Sequence, residues 1–100
     1  MVIWSYPAKL DLKQVHDFIA KDSKYYAQKV VKDIVEKSEV LDPFPKMGRI
    51  VPEISDPNIR EIFIYSYRLV YQISSEQIHV LALIHSKRDF ASENFDDLRN

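Results

Sequence analysis

The sequence predicts an α+β protein in which an antiparallel β-sheet packs against an N-terminal helical hairpin and a short C-terminal helix follows. Two observations lead to this class. Apolar residues recur at three- and four-residue spacing up to position 41, which is typical of amphipathic helices. Between positions 59 and 85 they recur at a spacing of two, which is typical of strands. The chain has 100 residues and no internal repeat, so we expect one domain over residues 1–100.

The N-terminal part divides into a strand and two helices. A short β-branched and aromatic run from Val2 to Tyr6 predicts a strand, which Pro7 ends. The first helix rests on the spacing of Ala8, Leu12, Val15, Phe18 and Ile19. Asp22 and Ser23 end it and cap a second helix, whose apolar stripe continues to Leu41. A link this short requires the two helices to be antiparallel.

Residues 42–58 have a different composition. They contain four of the five prolines and the single glycine, Gly48. This predicts a loop with at most one short strand, near Arg49 to Val51.

The register of the remaining strands follows from where the turns are placed. If Ser66-Tyr67 closes one hairpin and Ser74 to Gln77 the next, Tyr65 lies opposite Arg68, and Arg68 opposite Leu83. One face is then apolar and packs on the helices: Ile62, Ile64, Leu69, Tyr71, Ile73, Ile78, Val80, Ala82 and Ile84. The other face is mixed: Glu61, Phe63, Tyr65, Arg68, Val70, Gln72, His79, Leu81, Leu83 and His85. A mixed face suits a surface that a ligand or partner covers. After the last strand, Ala91, Phe95 and Leu98 predict the short helix, within Asp89 to Leu98.

Composition excludes several kinds of site. Cysteine is absent, which rules out disulfides and thiolate metal sites, and one glycine cannot form a glycine-rich phosphate loop. His79 and His85 lie roughly 20 Å apart along a strand, so they cannot share a metal ion. We therefore predict no metal site and no cofactor. The N-terminus lacks a secretion signal and no run is long enough to span a membrane, so we expect a cytoplasmic protein.

Charge gives little support for nucleic-acid binding. The net charge is −1, and residues 1–88 carry +2 once the −3 of residues 89–99 is set aside. RNA-binding proteins usually present a strongly basic surface.

Arg68 is the most unusual residue of the predicted sheet, because a charge in mid-strand is disfavoured. A guanidinium held there can clamp a phosphate through two hydrogen bonds. The alternative is an ion pair with Glu53 or Glu61 that fixes the sheet.

His85, Lys87 and Arg88 close the last strand. A histidine beside two cations can act as general acid or base in phosphodiester cleavage by the ribose 2′-hydroxyl. The alternatives are a hydrogen-bonded strand-end histidine and a solvated basic terminus. Glu53 is a candidate base or a positioning partner for Arg68, although a loop carboxylate is more often solvated.

Four segments in this order resemble the RelE/ParE superfamily of bacterial toxins from type II toxin-antitoxin pairs. They are Gly48 to Glu53, Ile59 to Glu61, Tyr67 to Gln72, and His85 to Arg88. The resemblance implies the fold predicted above and a cognate antitoxin that wraps the toxin in a hetero-oligomer. It also implies one of two activities. RelE-like members cut mRNA on the ribosome without a metal, and ParE-like members poison DNA gyrase.

The Tyr67 to Gln72 run and the Lys87-Arg88 pair resemble the RelE branch, in which arginines contact the scissile phosphate. By this resemblance the candidate catalytic residues are Glu53, Arg68, His85 and Arg88, and the candidate substrate-binding residues are Lys87, Tyr65 and Arg49.

Two features depart from the RelE pattern: Ile59 and Glu61 stand where it has lysines, and Asn94 and Phe95 where it has a tyrosine. Gly48 to Glu53 and Ile84 to Asp89 are also similar to ParE-like sequences. RNA cleavage is the favoured hypothesis, gyrase poisoning is the alternative, and an inactive homologue that binds its antitoxin is the third.

Overall fold

The computed structural model describes residues 1–86, which form two helices packed on one face of a five-stranded sheet. The elements are β1 (Val2–Trp4), α1 (Tyr6–Ala20), α2 (Lys24–Glu39), β2 (Arg49–Ile50), β3 (Ile59–Ile64), β4 (Tyr67–Ser74) and β5 (Gln77–His85). Strands β2 to β5 pair antiparallel, in the order β5-β4-β3-β2, and β1 joins the outer edge of β5 in parallel. The predicted α+β class is confirmed with a mixed sheet. The predicted C-terminal helix lies outside the described residues.

Both helices begin at a serine cap. The Ser5 hydroxyl accepts a hydrogen bond from the Ala8 amide at 3.2 Å, and the Ser23 hydroxyl accepts one from Tyr26 at 3.1 Å. The strand predicted to reach Tyr6 ends at Trp4 instead. Pro7 does not stop a strand but lies in the first turn of α1, where its missing N–H leaves no helical hydrogen bond unmade. Within residues 1–86 neither helix is long and apolar enough to cross a membrane.

The main core lies between the helices and one sheet face, which we call the helix face. Ile34 from α2 and Leu69 and Tyr71 from β4 are fully buried there. The strand alternation predicted seven of its members correctly: Ile62, Ile64, Leu69, Tyr71, Ile73, Ile78 and Val80. Packing of the two amphipathic helices on these residues orders the sheet.

A β-bulge in β5 overturns the rest of the predicted face assignment. Tyr71 pairs with Val80 as predicted, but Val70 pairs with Ala82, so Leu81 is an extra residue. Ala82 and Ile84 therefore pack on the second face, opposite the helices, whereas Leu83 joins the helix face. Arg68 lies opposite Ile84, not Leu83.

The bulge is held by the start of α1. The Ser5 hydroxyl donates to the Leu81 carbonyl at 3.3 Å, and the Leu83 amide donates to the Asp11 carboxylate at 3.0 Å. These contacts satisfy backbone groups that β1 does not reach, because β1 pairs only with Ile78 to Val80.

The first hairpin also differs from the predicted register. Its two-residue turn is Tyr65-Ser66, so Phe63 rather than Tyr65 lies opposite Arg68. Tyr65 has a φ of 55°, in the left-handed region that a bulky side chain seldom adopts. Tyr65 therefore lies in the turn and not on the mixed sheet face where it was predicted.

The segment after β2 folds over the second face and forms a smaller core there. Val51 and Ile54 cover Ile59, Val70 and Ile84. Val70 is consequently buried beneath this segment, and Leu83 is buried in the main core, so neither belongs to an exposed mixed surface. The predicted short strand near Arg49 is confirmed as β2.

Gly48 and Tyr71 anchor the loop that precedes β2. The Tyr71 hydroxyl accepts from the Gly48 amide at 3.0 Å and donates to the Pro45 carbonyl at 2.6 Å. A Cβ on residue 48 would stand 2.6 Å from the Glu61 carbonyl and 2.7 Å from the Tyr71 hydroxyl. Glycine is required here because no side chain fits between these atoms.

Candidate functional site

Four charged side chains and one aromatic ring meet on the second face, near the edge formed by β2. We call Arg49, Glu53, Glu61, Phe63 and Arg68 the Glu61 cluster. β2 supplies Arg49, the following turn supplies Glu53, β3 supplies Glu61 and Phe63, and β4 supplies Arg68. The register brings them together, because Arg49 pairs with Glu61 and Phe63 pairs with Arg68.

Glu61 is the centre of the cluster. Glu61 is 1% exposed, and its two carboxylate oxygens accept hydrogen bonds from different arginines. Arg49 Nε donates to Oε2 at 2.5 Å, whereas Arg68 donates to Oε1 through Nε at 3.0 Å and through Nη2. A buried carboxylate is stabilised only when it is paired and hydrogen-bonded, and Glu61 meets both conditions.

Glu53 adds a second negative charge beside Arg68. Its Oε2 lies 3.6 Å from Arg68 Nη2, and its side chain is 37% exposed. The two arginines and two glutamates therefore carry a formal charge of zero between them. Arg68 itself is 7% exposed, so its guanidinium faces carboxylates in a region with little solvent.

Phe63 forms the exposed cap of the cluster. Its ring centroid lies 5.3 Å from Arg49 Cζ and 5.9 Å from Arg68 Cζ, distances at which a guanidinium is attracted to a ring. Phe63 is 49% exposed and the Arg49 side chain is 60% exposed. Arg49 and Phe63 are therefore the parts of the cluster that a partner can reach.

His85 lies on the opposite side of the sheet from Arg68. Because of the bulge, its ring points to the helix face, where it contacts Tyr67 edge-on with ring centroids 5.6 Å apart. There it borders an open groove of about 370 Å³ between α1 and the ends of β4 and β5. The groove is lined by Asp11, Gln14, Val15, Phe18, Tyr67, Leu83 and His85.

Tyr65 is bound to α2 instead of the Glu61 cluster. Its hydroxyl donates a hydrogen bond to the Asp33 carboxylate. This hydrogen bond lowers the pKa of Asp33 and raises the pKa of Tyr65, because it stabilises the ionised carboxylate and the protonated phenol.

The structure thus brings together three of the predicted site residues and separates two. Arg49, Glu53 and Arg68 belong to one cluster, whereas Tyr65 and His85 were wrongly placed beside Arg68. Lys87 and Arg88 lie outside the described residues. The ion pair between Arg68 and Glu61, one of the two sequence interpretations of Arg68, is the contact observed.

Two features of the cluster were missed at the sequence level. Glu61 bridges Arg49 as well as Arg68, and Phe63 lies against both guanidiniums. Pairing β2 with β3 in the sequence would have revealed the contact between Glu61 and Arg49. Glu61 alternates with isoleucines on β3, and a glutamate in such a position needs a cation opposite it. Among residues 1–86, no group of three or more His, Asp or Glu side chains is arranged to hold a metal ion.

Comparison with known proteins places this fold among toxin-antitoxin structures. The chain is similar to a chain of the chromosomal ParDE toxin-antitoxin system from P. aeruginosa, with a TM-score of 0.72 and 21% identity, covering 86% of this chain and 95% of that one. It is also similar to a chain of the toxin-antitoxin complex RelBE2 from Mycobacterium tuberculosis, with a TM-score of 0.59 and 19% identity, covering 85% and 95%.

Sequence comparison identifies the family. Toxin RelE2 of Caulobacter vibrioides is 24% identical over 88 residues, covering 87% of this chain and 96% of that protein. The model of the ParE toxin family, the toxin of the type II toxin-antitoxin system parDE, matches residues 2–90. The chain therefore belongs to the ParE toxin family and is a toxin of a type II toxin-antitoxin system.

Proposed function

We propose that this toxin inhibits growth by binding DNA gyrase, as ParE-like toxins do, and not by cutting mRNA on the ribosome. One observation carries the proposal: the arginine that a nuclease would use to hold the scissile phosphate is engaged by Glu61 and Glu53. The match to the ParE family over residues 2–90 supports the same branch.

Phosphodiester cleavage makes geometric demands, and the division of the described candidate residues between two sheet faces argues against it. A proton acceptor, a proton donor and a cation must all reach one phosphate. Arg68 and Glu53 lie on the second face, and His85 lies on the helix face with Tyr67. A phosphate beside Arg68 would also meet the charge of two carboxylates. A surface on which arginine and phenylalanine are exposed together suits a protein target better, because these residue types are enriched in protein interfaces.

The second candidate is the mRNA cleavage predicted from the sequence. It is supported by the similarity to Toxin RelE2 over 88 residues and by the RelE-like run from Tyr67 to Gln72. In that case Glu53, Arg68, His85 and Arg88 would be the catalytic residues, and Lys87, Tyr65 and Arg49 would bind the RNA. A third candidate is an inactive homologue that binds an antitoxin and has no other target.

The same cells can distinguish these three functions. After induction of the toxin, primer extension on a translated message reports mRNA cleavage, and stabilised DNA cleavage complexes with an SOS response report gyrase poisoning. Supercoiling by purified gyrase with purified toxin is the matching direct assay. We expect intact mRNA and inhibited gyrase. Cleaved mRNA with unaffected gyrase would overturn the proposal in favour of the second candidate, and growth without either effect would favour the third.

We also propose that a cognate antitoxin covers exposed apolar side chains of this toxin. Phe18, Tyr25 and Phe44 are 69%, 78% and 62% exposed. Large exposed apolar groups favour a binding partner, since they otherwise promote aggregation. Co-expression with the product of the adjacent reading frame should raise the soluble yield and protect these segments from crosslinking reagents. Unchanged yield and unchanged labelling would contradict this.

A further inference from the structure

We propose that Glu61 determines what the second sheet face can bind: by holding Arg49 and Arg68 at once, it prevents this face from binding phosphate. This inference rests on the proposed function, since a toxin that does not cut RNA has no need for a phosphate site here. It concerns the direct interaction of purified toxin with phosphate groups, whereas the proposed function concerns gyrase. The two are therefore tested by different measurements.

Geometry supports this role for Glu61 over the other acidic residue of the cluster. Glu61 contacts both guanidiniums, at 2.5 Å from Arg49 Nε and 3.0 Å from Arg68 Nε. Of the two arginines, Glu53 contacts only Arg68, with 3.6 Å between Glu53 Oε2 and Arg68 Nη2. The Glu53 side chain is 37% exposed. Charge-assisted hydrogen bonds at these distances compete directly with a phosphate oxygen for the same N–H groups.

Burial makes the effect of Glu61 stronger. Its side chain has no exposed surface and that of Arg68 is 9% exposed, so solvent screens the attraction between these two very little. Two arginines facing one side of a sheet, with Phe63 between them to stack on a base, would otherwise resemble a site for single-stranded RNA. The carboxylate of Glu61 is the feature that separates this face from such a site.

The test compares two variants with the same change in charge. Glu61→Gln and Glu53→Gln each raise the formal charge of the cluster from 0 to +1, but only Glu61→Gln removes the charge that holds both arginines. Binding of a fluorescently labelled single-stranded RNA oligonucleotide is measured at low salt, with Glu36→Gln on the exposed side of α2 as a control for net charge. We expect Glu61→Gln to bind about tenfold more tightly than the wild type, the effect of one hydrogen bond to a charged group. Glu53→Gln should gain no more than about twofold.

Salt and a second substitution identify the groups that bind. If Glu61→Gln creates a site that binds two phosphates, a fourfold rise in salt concentration should weaken its RNA affinity about sevenfold. Arg49→Ala in the Glu61→Gln background should remove most of the gain. Equal gains in Glu61→Gln, Glu53→Gln and Glu36→Gln would overturn the proposal, because net charge would then explain binding.

One measurement does not depend on how well Glu61→Gln folds. Arg49→Ala in the otherwise unchanged protein alters an exposed side chain and should bind the RNA oligonucleotide no more weakly than the wild type, because Glu61 already holds Arg49. A clear loss of RNA binding in this single variant would mean that Arg49 binds phosphate in the presence of Glu61, and the proposal would be wrong.

Discussion

The two faces of the sheet are built from the same strands but are held by different interactions. Arg68 and Leu69 are neighbours on β4 and point to opposite faces. Leu69 packs among apolar side chains beneath the helices, whereas Arg68 lies in an ion pair with Glu61. The helix face depends on volume and shape, whereas the Glu61 cluster on the second face depends on the pairing of charges. The two sites should therefore tolerate different kinds of substitution.

The largest effect is expected in the Glu61 cluster. Arg68→Ala should lower the free energy of unfolding by about 4 kcal/mol, because it removes the principal partner of a buried carboxylate. Urea unfolding followed by circular dichroism measures this. Arg49→Ala is the matched control and should cost less than about 1 kcal/mol, since the Arg49 side chain is 60% exposed.

The paired variant Glu61→Met with Arg68→Met sharpens this result. It removes both charges and should recover most of the lost free energy, as apolar replacement of buried ion pairs often does. If Arg68→Ala unfolds at the same urea concentration as the wild type, the pair does not stabilise the sheet. If Arg68→Ala also loses toxicity, its stability has to be measured before the loss is attributed to target binding, because an unfolded variant binds no target.

On the helix face, Leu69→Ala should lower the free energy of unfolding by about 3 kcal/mol through lost burial and the cavity left behind. Leu69→Met should cost less than about 1.5 kcal/mol, because it nearly conserves volume. Arg68→Lys conserves charge but loses the fork geometry of the guanidinium, and it should be tolerated less well than Leu69→Met. The same urea series tests all three. If Leu69→Met and Arg68→Lys lower the free energy of unfolding equally, the two faces do not differ in what they tolerate.

The difference between the faces also explains how far the sequence could predict the structure. Helix periodicity and strand alternation located the helices, the three long strands and seven members of the helix face. Such patterns depend on neighbours along the chain, and amphipathic elements show them clearly. The predicted class and family followed from them and from the resemblance.

The candidate site was predicted less well because it depends on single-residue shifts. The bulge at Leu81 lies in the apolar run from Val80 to Ile84, which continues in either register. It is fixed by Ser5 and Asp11, which are more than 70 positions away. The first turn was placed one residue late, since Tyr65 occupies a left-handed position without the glycine or asparagine that usually marks it. These two shifts moved His85 and Tyr65 away from Arg68.

A smaller effect is expected where the helix face meets the loop before β2. Tyr71→Phe keeps the buried ring but removes both hydrogen bonds of the hydroxyl, to Gly48 and Pro45. It should lower the free energy of unfolding by about 2 kcal/mol, because the buried Gly48 N–H and the partly buried Pro45 carbonyl lose their partner. Hydrogen exchange of the Gly48 amide should accelerate more than that of Leu69. If both amides respond equally, the hydroxyl supports the whole fold and not the loop.

The smallest effect concerns pH and the contact between Tyr65 and α2. The hydrogen bond from Tyr65 lowers the pKa of Asp33 below 3.8, so its stabilisation is present above pH 3.8 and is lost as the pH falls through the lowered value. The pKa of Tyr65 is raised above 10.0, so its stabilisation is present below pH 10.0 and is lost as the pH rises through the raised value. Tyr65→Phe should remove the base-side dependence and reduce the acid-side dependence, because Lys29 and Lys32 also lower the pKa of Asp33.

This contact distinguishes the turn between β3 and β4 from the turn between β4 and β5, both of which contain left-handed residues. Ser75 and Glu76, with φ of 49° and 64°, form a turn whose side chains are exposed, whereas Tyr65 is tied to a helix. Unfolding of the wild type, Tyr65→Phe and Asp33→Asn from pH 3 to pH 11 measures the effect. Asp33→Asn should remove the acid-side dependence completely, because it removes the titrating carboxylate, whereas Tyr65→Phe should only reduce it. If Tyr65→Phe retains the wild-type profile at both ends, the hydrogen bond does not hold Tyr65 against α2, and the residue becomes available to a partner on that side of the sheet.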